Sequence, residues 1–339
     1  MIASTAVGRW TWGREDESGD PVLGALHALL GAHRVLAAQG FAVGATVAQI
    51  SVRTAGSSDA LLFDGEVPLD GQESAQDLAR TVTAALRPGE IGSVHTSVTL
   101  AGEVRTAQNA RVEQGIFRLG SSALLDFVTT DLTTFTDIWL PYDLKGRAQP
   151  DVYEANGHRL TALLGELADA LGTETEPDDP TWFARPSEQG INNYFDQDGA
   201  ASDVWGSFEV PYRNRVFQHS PVFDSTVYGR SAEGEVQYLP VVGEHVVLGY
   251  LWASDAERAA SFEPRDAAEE DGYKAGLSWL DRLGDAAARG LRPTQALAEL
   301  RRLPADGVVG SVPPDAEPSS AALSDLREHA ATDHGAASP

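Results

Sequence analysis

The almost wholly apolar run at residues 245–252 constrains the fold more than any other stretch of this sequence. It is rich in β-branched and aromatic side chains, which is typical of a strand that is covered on both faces. Residues 234–242 form a second extended run, and the Gly243-Glu244 dipeptide between the runs is suited to a tight turn. The two runs therefore predict a β-hairpin whose second strand lies in the centre of a sheet.

The segment after this hairpin predicts helices. Asp255 is suited to cap a short helical turn at residues 256–262. Apolar side chains recur every three or four positions over residues 267–289, which predicts a long amphipathic helix. Pro293 is a suitable first residue for another helix. Residues 234–303 are thus expected to form a hairpin packed on helices.

The N-terminal half predicts a sheet with helices. Its pattern runs strand, helix, strand, strand, helix, strand, the order of the split β-α-β of ferredoxin-like folds. The predicted strands cover residues 6–12, 43–53, 60–67 and 91–100, and the predicted helices cover residues 21–39 and 74–86. After a turn at Ala101-Gly102, extra strands are expected at residues 103–112, 116–119, 124–130 and 137–140.

Composition predicts where the domains end. Residues 141–150 are rich in proline, glycine and charge, which favours a domain boundary near position 145. The predicted fold class is α+β, with a ferredoxin-like domain at 1–145 and a second α+β domain at 146–303, which begins with an amphipathic helix over residues 151–171. Residues 304–339 are mainly Pro, Ala, Ser and acid, which predicts a disordered acidic tail.

The charge of the chain restricts its partners. A formal net charge of −25 disfavours contact with nucleic-acid phosphates and favours capture of a basic protein. Cysteine is absent, which excludes disulfides and thiolate chemistry and fits a cytoplasmic location. No run approaches the roughly 18 apolar residues of a membrane span, and the N-terminus lacks a recognisable secretion signal. A membrane partner is therefore not expected.

The acidic charge is concentrated in one segment. Residues 151–209 contain thirteen Asp or Glu and two Arg, and aromatic residues are interleaved from position 182 onward. Aromatic rings can anchor a protein partner while carboxylates attract its basic side chains. We therefore predict a partner-binding surface formed by Asp178, Asp179, Trp182, Asp196, Asp198, Asp203 and Trp205. In the alternative interpretation, the rings hold an irregular loop on the core and the carboxylates are only solvated.

Motifs for catalysis, a metal or a cofactor are incomplete. Residues 196–199 (Asp-Gln-Asp-Gly) resemble part of a calcium loop, but the other ligands are missing and an acidic turn is the better interpretation. Residues 229–233 lack the second glycine of a nucleophile elbow. Glu233 and Glu235 are similar to the paired glutamates of ADP-ribosyltransferases, a pattern common in acidic chains. The histidines lack the spacing of a zinc helix, so we predict no catalytic residue, metal or cofactor.

Three stretches carry a resemblance to known proteins. They are residues 248–254 (Leu-Gly-Tyr-Leu-Trp-Ala-Ser), 275–280 (Ala-Gly-Leu-Ser-Trp-Leu) and 290–297 (Gly-Leu-Arg-Pro-Thr-Gln-Ala-Leu). They look like uncharacterised proteins of high-GC Gram-positive bacteria, some of which are similar to immunity proteins of polymorphic toxin systems. The resemblance covers about the last third of the chain and brings no catalytic or binding residue with it.

These observations favour a non-catalytic cytoplasmic protein of the immunity type. It would neutralise a basic partner, such as a nuclease-like toxin domain, by covering it with the acidic and aromatic segment. The alternative is a carboxylate-dependent hydrolase or transferase whose acidic pair is assembled only in the folded chain.

Overall fold

A computed structural model of the chain describes residues 1–16, 18–56, 60–69, 74–106, 108–220, 228–304 and 309–331. The described residues form helices and antiparallel sheets, which confirms the α+β class. The chain divides into two compact units, residues 1–204 and 205–339. The boundary therefore lies after Val204 and not near residue 145.

In the first unit, capping residues fix where the helices begin or end. Its strands are β1 Gly8–Glu15, β2 Val47–Thr54, β3 Leu61–Pro68, β4 Ile91–Arg105, β5 Ala110–Leu124, β6 Phe127–Thr134, β7 Glu176–Pro177, β8 Ala184–Ser187 and β9 Gly190–Asn193. Its helices are α1 Pro21–Ala38, α2 Ala75–Ala84 and α3 Pro150–Leu171. The Asp20 carboxylate caps α1, Ser74 and Asp77 form a capping box on α2, and Gly172 ends α3 with a φ of 70°.

Seven strands of the first unit form one sheet in the order β3-β2-β4-β5-β6-β1-β7. Every pairing between the described strands of this sheet is antiparallel, so β1 and β2 run in the same direction with three strands between them. Helix α1 makes this connection and packs across β4, β5 and β6. A split β-α-β has a single strand in this gap. The strand order thus differs from a ferredoxin-like sheet, because β4, β5 and β6 are joined by tight turns and stay neighbours.

Helix α1 is the central helix of the first unit. It has 18 residues and a mean hydropathy of 1.3, so it meets the length and composition of a membrane span although charged and polar residues interrupt it. The described fold buries 56% of this helix, and a core helix has the same composition. This property therefore does not decide the location of the protein.

Helix α3 and strand β7 belong to the first unit because they pack on its sheet. Strand β7 extends the sheet next to β1, with Thr11 opposite Glu176. The indole of Trp10 donates to the Ser187 carbonyl at 2.9 Å, and the indole of Trp12 donates to Thr175 Oγ1 at 3.0 Å. Both tryptophans are buried, so these bonds hold residues after position 171 to the first strand of the chain.

The stretch at residues 141–150 is a folded loop and not a linker. The Asp143 carboxylate accepts the backbone N–H groups of Lys145 and Arg147, both at 2.9 Å. The Gln149 amide donates to the carbonyls of Asp137 at 2.7 Å and Leu140 at 2.9 Å. Its proline, glycine and charge therefore serve turns and caps inside one unit.

The second unit is a four-stranded sheet with helices on both faces. Its strands are β10 Glu235–Val242, β11 Val247–Ser254, β12 Ala259–Pro264 and β13 Ser319–Ala322, in the order β12-β11-β10-β13. Its helices are a π-helix at Trp205–Glu209, α4 Val210–Phe217, α5 Glu269–Ala288, α6 Pro293–Leu300 and α7 Leu323–Ala331. Leu251 of β11 packs with α5 and α6, and Trp252 packs with α7. The predicted hairpin with a central, doubly covered strand is confirmed.

Two predictions for this unit are wrong. Residues 256–262 do not form a helical turn, because Ala259–Pro264 pair with β11 as strand β12. Much of the predicted tail is folded, since β13 pairs with β10 and Leu323 and Leu326 of α7 are buried. Positions 305–308 and 332–339 of that tail lie outside the described residues.

Candidate partner-binding surface

The predicted surface is built on a small hairpin in the first unit. Strands β8 and β9 pair from Ala184 opposite Asn193 to Ser187 opposite Gly190, and a two-residue turn joins them. Residues 178–182 lead into the hairpin and residues 194–203 follow it. The two flanking segments carry six of the seven predicted residues.

Asn193 fixes the hairpin to the folded loop described above. Its side-chain carbonyl accepts the backbone N–H of Tyr142 at 3.2 Å, and its amide donates to the Tyr142 carbonyl at 2.9 Å. Gly146 approaches the same region so closely that an added Cβ would lie 2.4 Å from the Ala201 carbonyl oxygen. The segment after β9 therefore rests on backbone atoms of the loop at residues 141–150.

Thr181 fixes the turn that presents Trp182. Its hydroxyl donates to the Val7 carbonyl at 2.8 Å and accepts the N–H groups of Phe183 and Ala184, both at 3.1 Å. The Tyr194 hydroxyl donates to the Thr181 carbonyl at 2.7 Å. This bond brings the end of β9 against the residue that precedes Trp182.

Two aromatic rings on this scaffold are largely exposed. Trp182 is 71% exposed and Phe195 is 55% exposed. The Phe195 ring lies edge-on to Tyr142, with centroids 5.8 Å apart, and the Arg185 guanidinium lies 4.8 Å from the Tyr194 ring centroid. Large apolar rings held outside the core on fixed backbone are a common feature of interface anchors.

The predicted carboxylates of the first unit lie close to these rings in the sequence, and all of them are exposed. Asp178, Asp179, Asp196, Asp198 and Asp203 are all exposed. Backbone and hydroxyl donors set several of them: Asp196 Oδ1 accepts the Ser202 hydroxyl at 2.6 Å, and Asp198 Oδ1 accepts the Ala200 N–H at 3.0 Å. Gly199 has a φ of 85°, so residues 196–199 form an acidic turn. Among the described residues, no group of three or more His, Asp or Glu is placed to hold a metal ion.

Arg9 of β1 links one predicted carboxylate to the sheet. Its guanidinium lies 3.7 Å from Asp178 Oδ2 and 3.7 Å from Asp131 Oδ2. Burial raises the pKa of Asp131, against the opposing effect of Arg9. Arg9 is therefore shared between a half-buried and an exposed carboxylate.

Trp205 does not belong to this surface. It is 1% exposed and begins the π-helix of the second unit. The Arg213 guanidinium lies 4.7 Å from its ring centroid, and Arg213 also forms an ion pair with the buried Glu209 at 2.7 Å. The ring is a core residue, as the alternative interpretation of the segment expected. Phe183 is buried in the same way in the first unit.

Sequence reasoning missed a buried charge network in the second unit. Glu263 of β12 is 2% exposed and accepts from the Trp252 indole at 3.1 Å and from Arg327 Nε at 3.3 Å. Burial raises the pKa of Glu263. The only sequence signal was a glutamate within an otherwise apolar stretch, and its partner Arg327 lay in the predicted tail. The network fastens α7 to the sheet.

Comparison of the chain with models of protein families, with characterised proteins and with solved structures gives no match.

Proposed function

We propose that this protein is a non-catalytic binding protein of the immunity type, which neutralises a basic protein partner. The observation that supports this proposal is the exposure of Trp182, Phe195 and five carboxylates in the two segments that flank the hairpin of β8 and β9. Trp205, the remaining member of the predicted set, is left out because its ring is buried.

The proposed contact combines two kinds of force. Burying an exposed tryptophan at an interface supplies the anchoring contact, since tryptophans are enriched among the residues that dominate binding energy. The carboxylates raise the rate of encounter with a basic partner and pair with its arginines or lysines at the rim. The hydrogen bonds of Thr181 and Asn193 hold the backbone before binding, which lowers the entropy lost on association.

The carboxylates are the first test. The surface variant changes Asp178, Asp179, Asp196 and Asp198 to Asn, which removes four negative charges and keeps the acceptor oxygens that bind local N–H groups. The control variant removes the same charge from exposed carboxylates elsewhere in the first unit. It contains Asp64→Asn, Asp126→Asn, Glu154→Gln and Asp169→Asn.

Each protein is used to capture partners from the native host at about 0.05 M and about 0.5 M salt, where screening differs severalfold. We expect the unmodified chain and the control variant to retain the same basic protein at low salt, with less at high salt. The surface variant should lose it. The purified partner should then be inhibited by the unmodified chain. Recovery of no basic protein at either salt, or equal recovery by both variants, would contradict the proposal.

A further inference from the structure

The C-terminal segment of the second unit leaves the sheet edge and returns to it. Ser311 pairs with Val242 at one end of β10, and Ser319 pairs with Tyr238 further along the same strand. The returning chain therefore advances eight residues, from Ser311 to Ser319, over a distance that β10 covers in four residues. Seven residues, 312–318, lie between the two pairings where β10 has three, and they form an arch beside the strand.

A cavity of about 420 Å³ lies beside this arch, which is within the usual size range of small-molecule sites. Helix α6 and its C-terminal end form one wall, β10 forms the floor, and the arch forms the other wall. The lining residues are Gln237, Leu239, Thr294, Leu297, Ala298, Arg301, Arg302, Pro314 and Pro318. Leu239 is 0% and Leu297 is 2% exposed, so the apolar surface that the cavity offers comes from the exposed Ala298, Pro314 and Pro318.

The charge of the lining is opposite to that of the chain. The protein has 50 acidic and 25 basic residues, but the described lining contains two arginines and no carboxylate. Arg302 is exposed, and its side chain forms no hydrogen bond or ion pair with the described residues. Arg301 Nη2 donates to the Pro314 carbonyl at 3.4 Å and contacts Glu317 Oε1 at 3.1 Å, but Glu317 is 81% exposed, so this ion pair is weak and easily exchanged.

The two arginines have a second role that does not explain the cavity. They follow the last turn of α6, where positive charge stabilises the helix dipole. That role needs no cavity beside the helix. The prolines of the arch, Pro314 and Pro318, stiffen the wall that keeps the space open.

We propose that this cavity binds a small organic anion, with an apolar body and one carboxylate or phosphate group. The apolar body would rest on Ala298, Pro314 and Pro318. The anionic group would reach Arg302 and Arg301, whose planar guanidinium groups match carboxylate and phosphate oxygens. The Gln237 amide at the same cavity adds a neutral donor.

Two variants of the full chain test this site. Arg302→Gln removes the arginine that has no partner among the described residues, and because it is exposed the fold should be unaffected. Ala298→Trp places a large ring in the cavity from an exposed position of α6. Arg34→Gln removes an exposed arginine of α1 in the first unit and serves as the matched charge control.

The probes are phenylacetate, phenyl phosphate and the neutral phenylacetamide, each titrated by calorimetry. We expect at least one anion to bind with a Kd below about 1 mM, and the amide about tenfold more weakly or not at all. Preference for one of the two anions identifies the head group. Arg302→Gln should weaken binding about tenfold or more, Ala298→Trp should abolish it, and Arg34→Gln should leave it unchanged.

Three results would overturn the proposal. They are no saturable binding of either anion, equal binding of the neutral amide, and binding that Ala298→Trp leaves intact. Circular dichroism of each variant separates loss of the site from loss of the fold. Because this site and the hairpin surface belong to different units, failure of one proposal leaves the other standing.

Discussion

Truncation to alanine should have different effects at two tryptophans of the acidic segment. Trp182→Ala should mainly weaken partner binding, and Trp205→Ala should mainly lower stability. Trp182 is 71% exposed and Trp205 is 1% exposed. A tryptophan presents roughly 250 Å² of surface. The covered part of Trp182 is then roughly 70 Å², which contributes at most about 2 kcal/mol at ~25 cal/mol per Å². Nearly all of Trp205 is covered, and truncation of a buried tryptophan typically costs about 3–5 kcal/mol.

Urea unfolding followed by far-UV circular dichroism measures the difference. With a slope of about 2–3 kcal/mol per M, Trp205→Ala should lower the unfolding midpoint of the second unit by about 1–2.5 M. Trp182→Ala should lower the midpoint of the first unit by no more than about 1 M. A midpoint is compared within the transition of the unit that carries the substitution, since the two units need not unfold together.

The same two variants separate binding from folding. Trp182→Ala should weaken the affinity for the captured partner by roughly 30-fold or more, as expected for loss of about 2 kcal/mol at an anchoring ring. Trp205→Ala should retain affinity under conditions where it is folded. The reasoning is refuted if Trp182→Ala destabilises the protein as much as Trp205→Ala, because the Trp182 ring would then belong to the core.

Three further predictions concern single positions. Gly146→Ala should lower stability by about 2 kcal/mol and weaken partner capture, because Gly146 has a φ of 73° and a Cβ there would meet the Ala201 carbonyl. Thermal unfolding and the capture assay measure the two effects. Leu125→Gly should raise stability by up to about 1 kcal/mol in urea unfolding, because Leu125 is 84% exposed and has a φ of 56°. Burial raises the pKa of Glu263, so its stabilising effect is complete below about pH 4.5 and is lost as pH rises through the folded-state pKa. Glu263→Gln should therefore flatten the dependence of Tm on pH above about 4.5, and an unchanged slope would contradict this.

Periodicity was sufficient to predict the regular elements with strong patterns. The apolar pattern predicted α3, α5 and α6, and the paired apolar runs predicted the hairpin of β10 and β11. In each of these elements the buried face is set by residues of the same element. The α+β class follows from such local information.

Residue types that fit two different local structures led to wrong predictions. Gly102 suggested a turn, but β4 continues through it to Arg105. Glycine leaves room there for Ile116, because a Cβ would lie 2.2 Å from Ile116 Cδ1 and that side chain would have to shift. Asp255 suggested a helix cap for the residues that follow it. It does cap a helix, but a distant one, since its carboxylate accepts the N–H of Thr294 in α6 at 2.9 Å.

The candidate surface shows the same limit at the level of side chains. Composition supplies rings and carboxylates for the whole acidic segment, but exposure depends on partners far away in sequence. Trp182 is held outward because Thr181 bonds to Val7, 174 positions earlier. Trp205 carried a local clue, since Phe208 and Tyr212 follow it at helical spacing. That spacing predicts a helix and hence a buried side, whereas Trp182 follows Asp178, Asp179 and a proline with no such pattern. A ring without periodic apolar neighbours is therefore the better candidate for a contact surface, and a ring within such a pattern is the better candidate for the core.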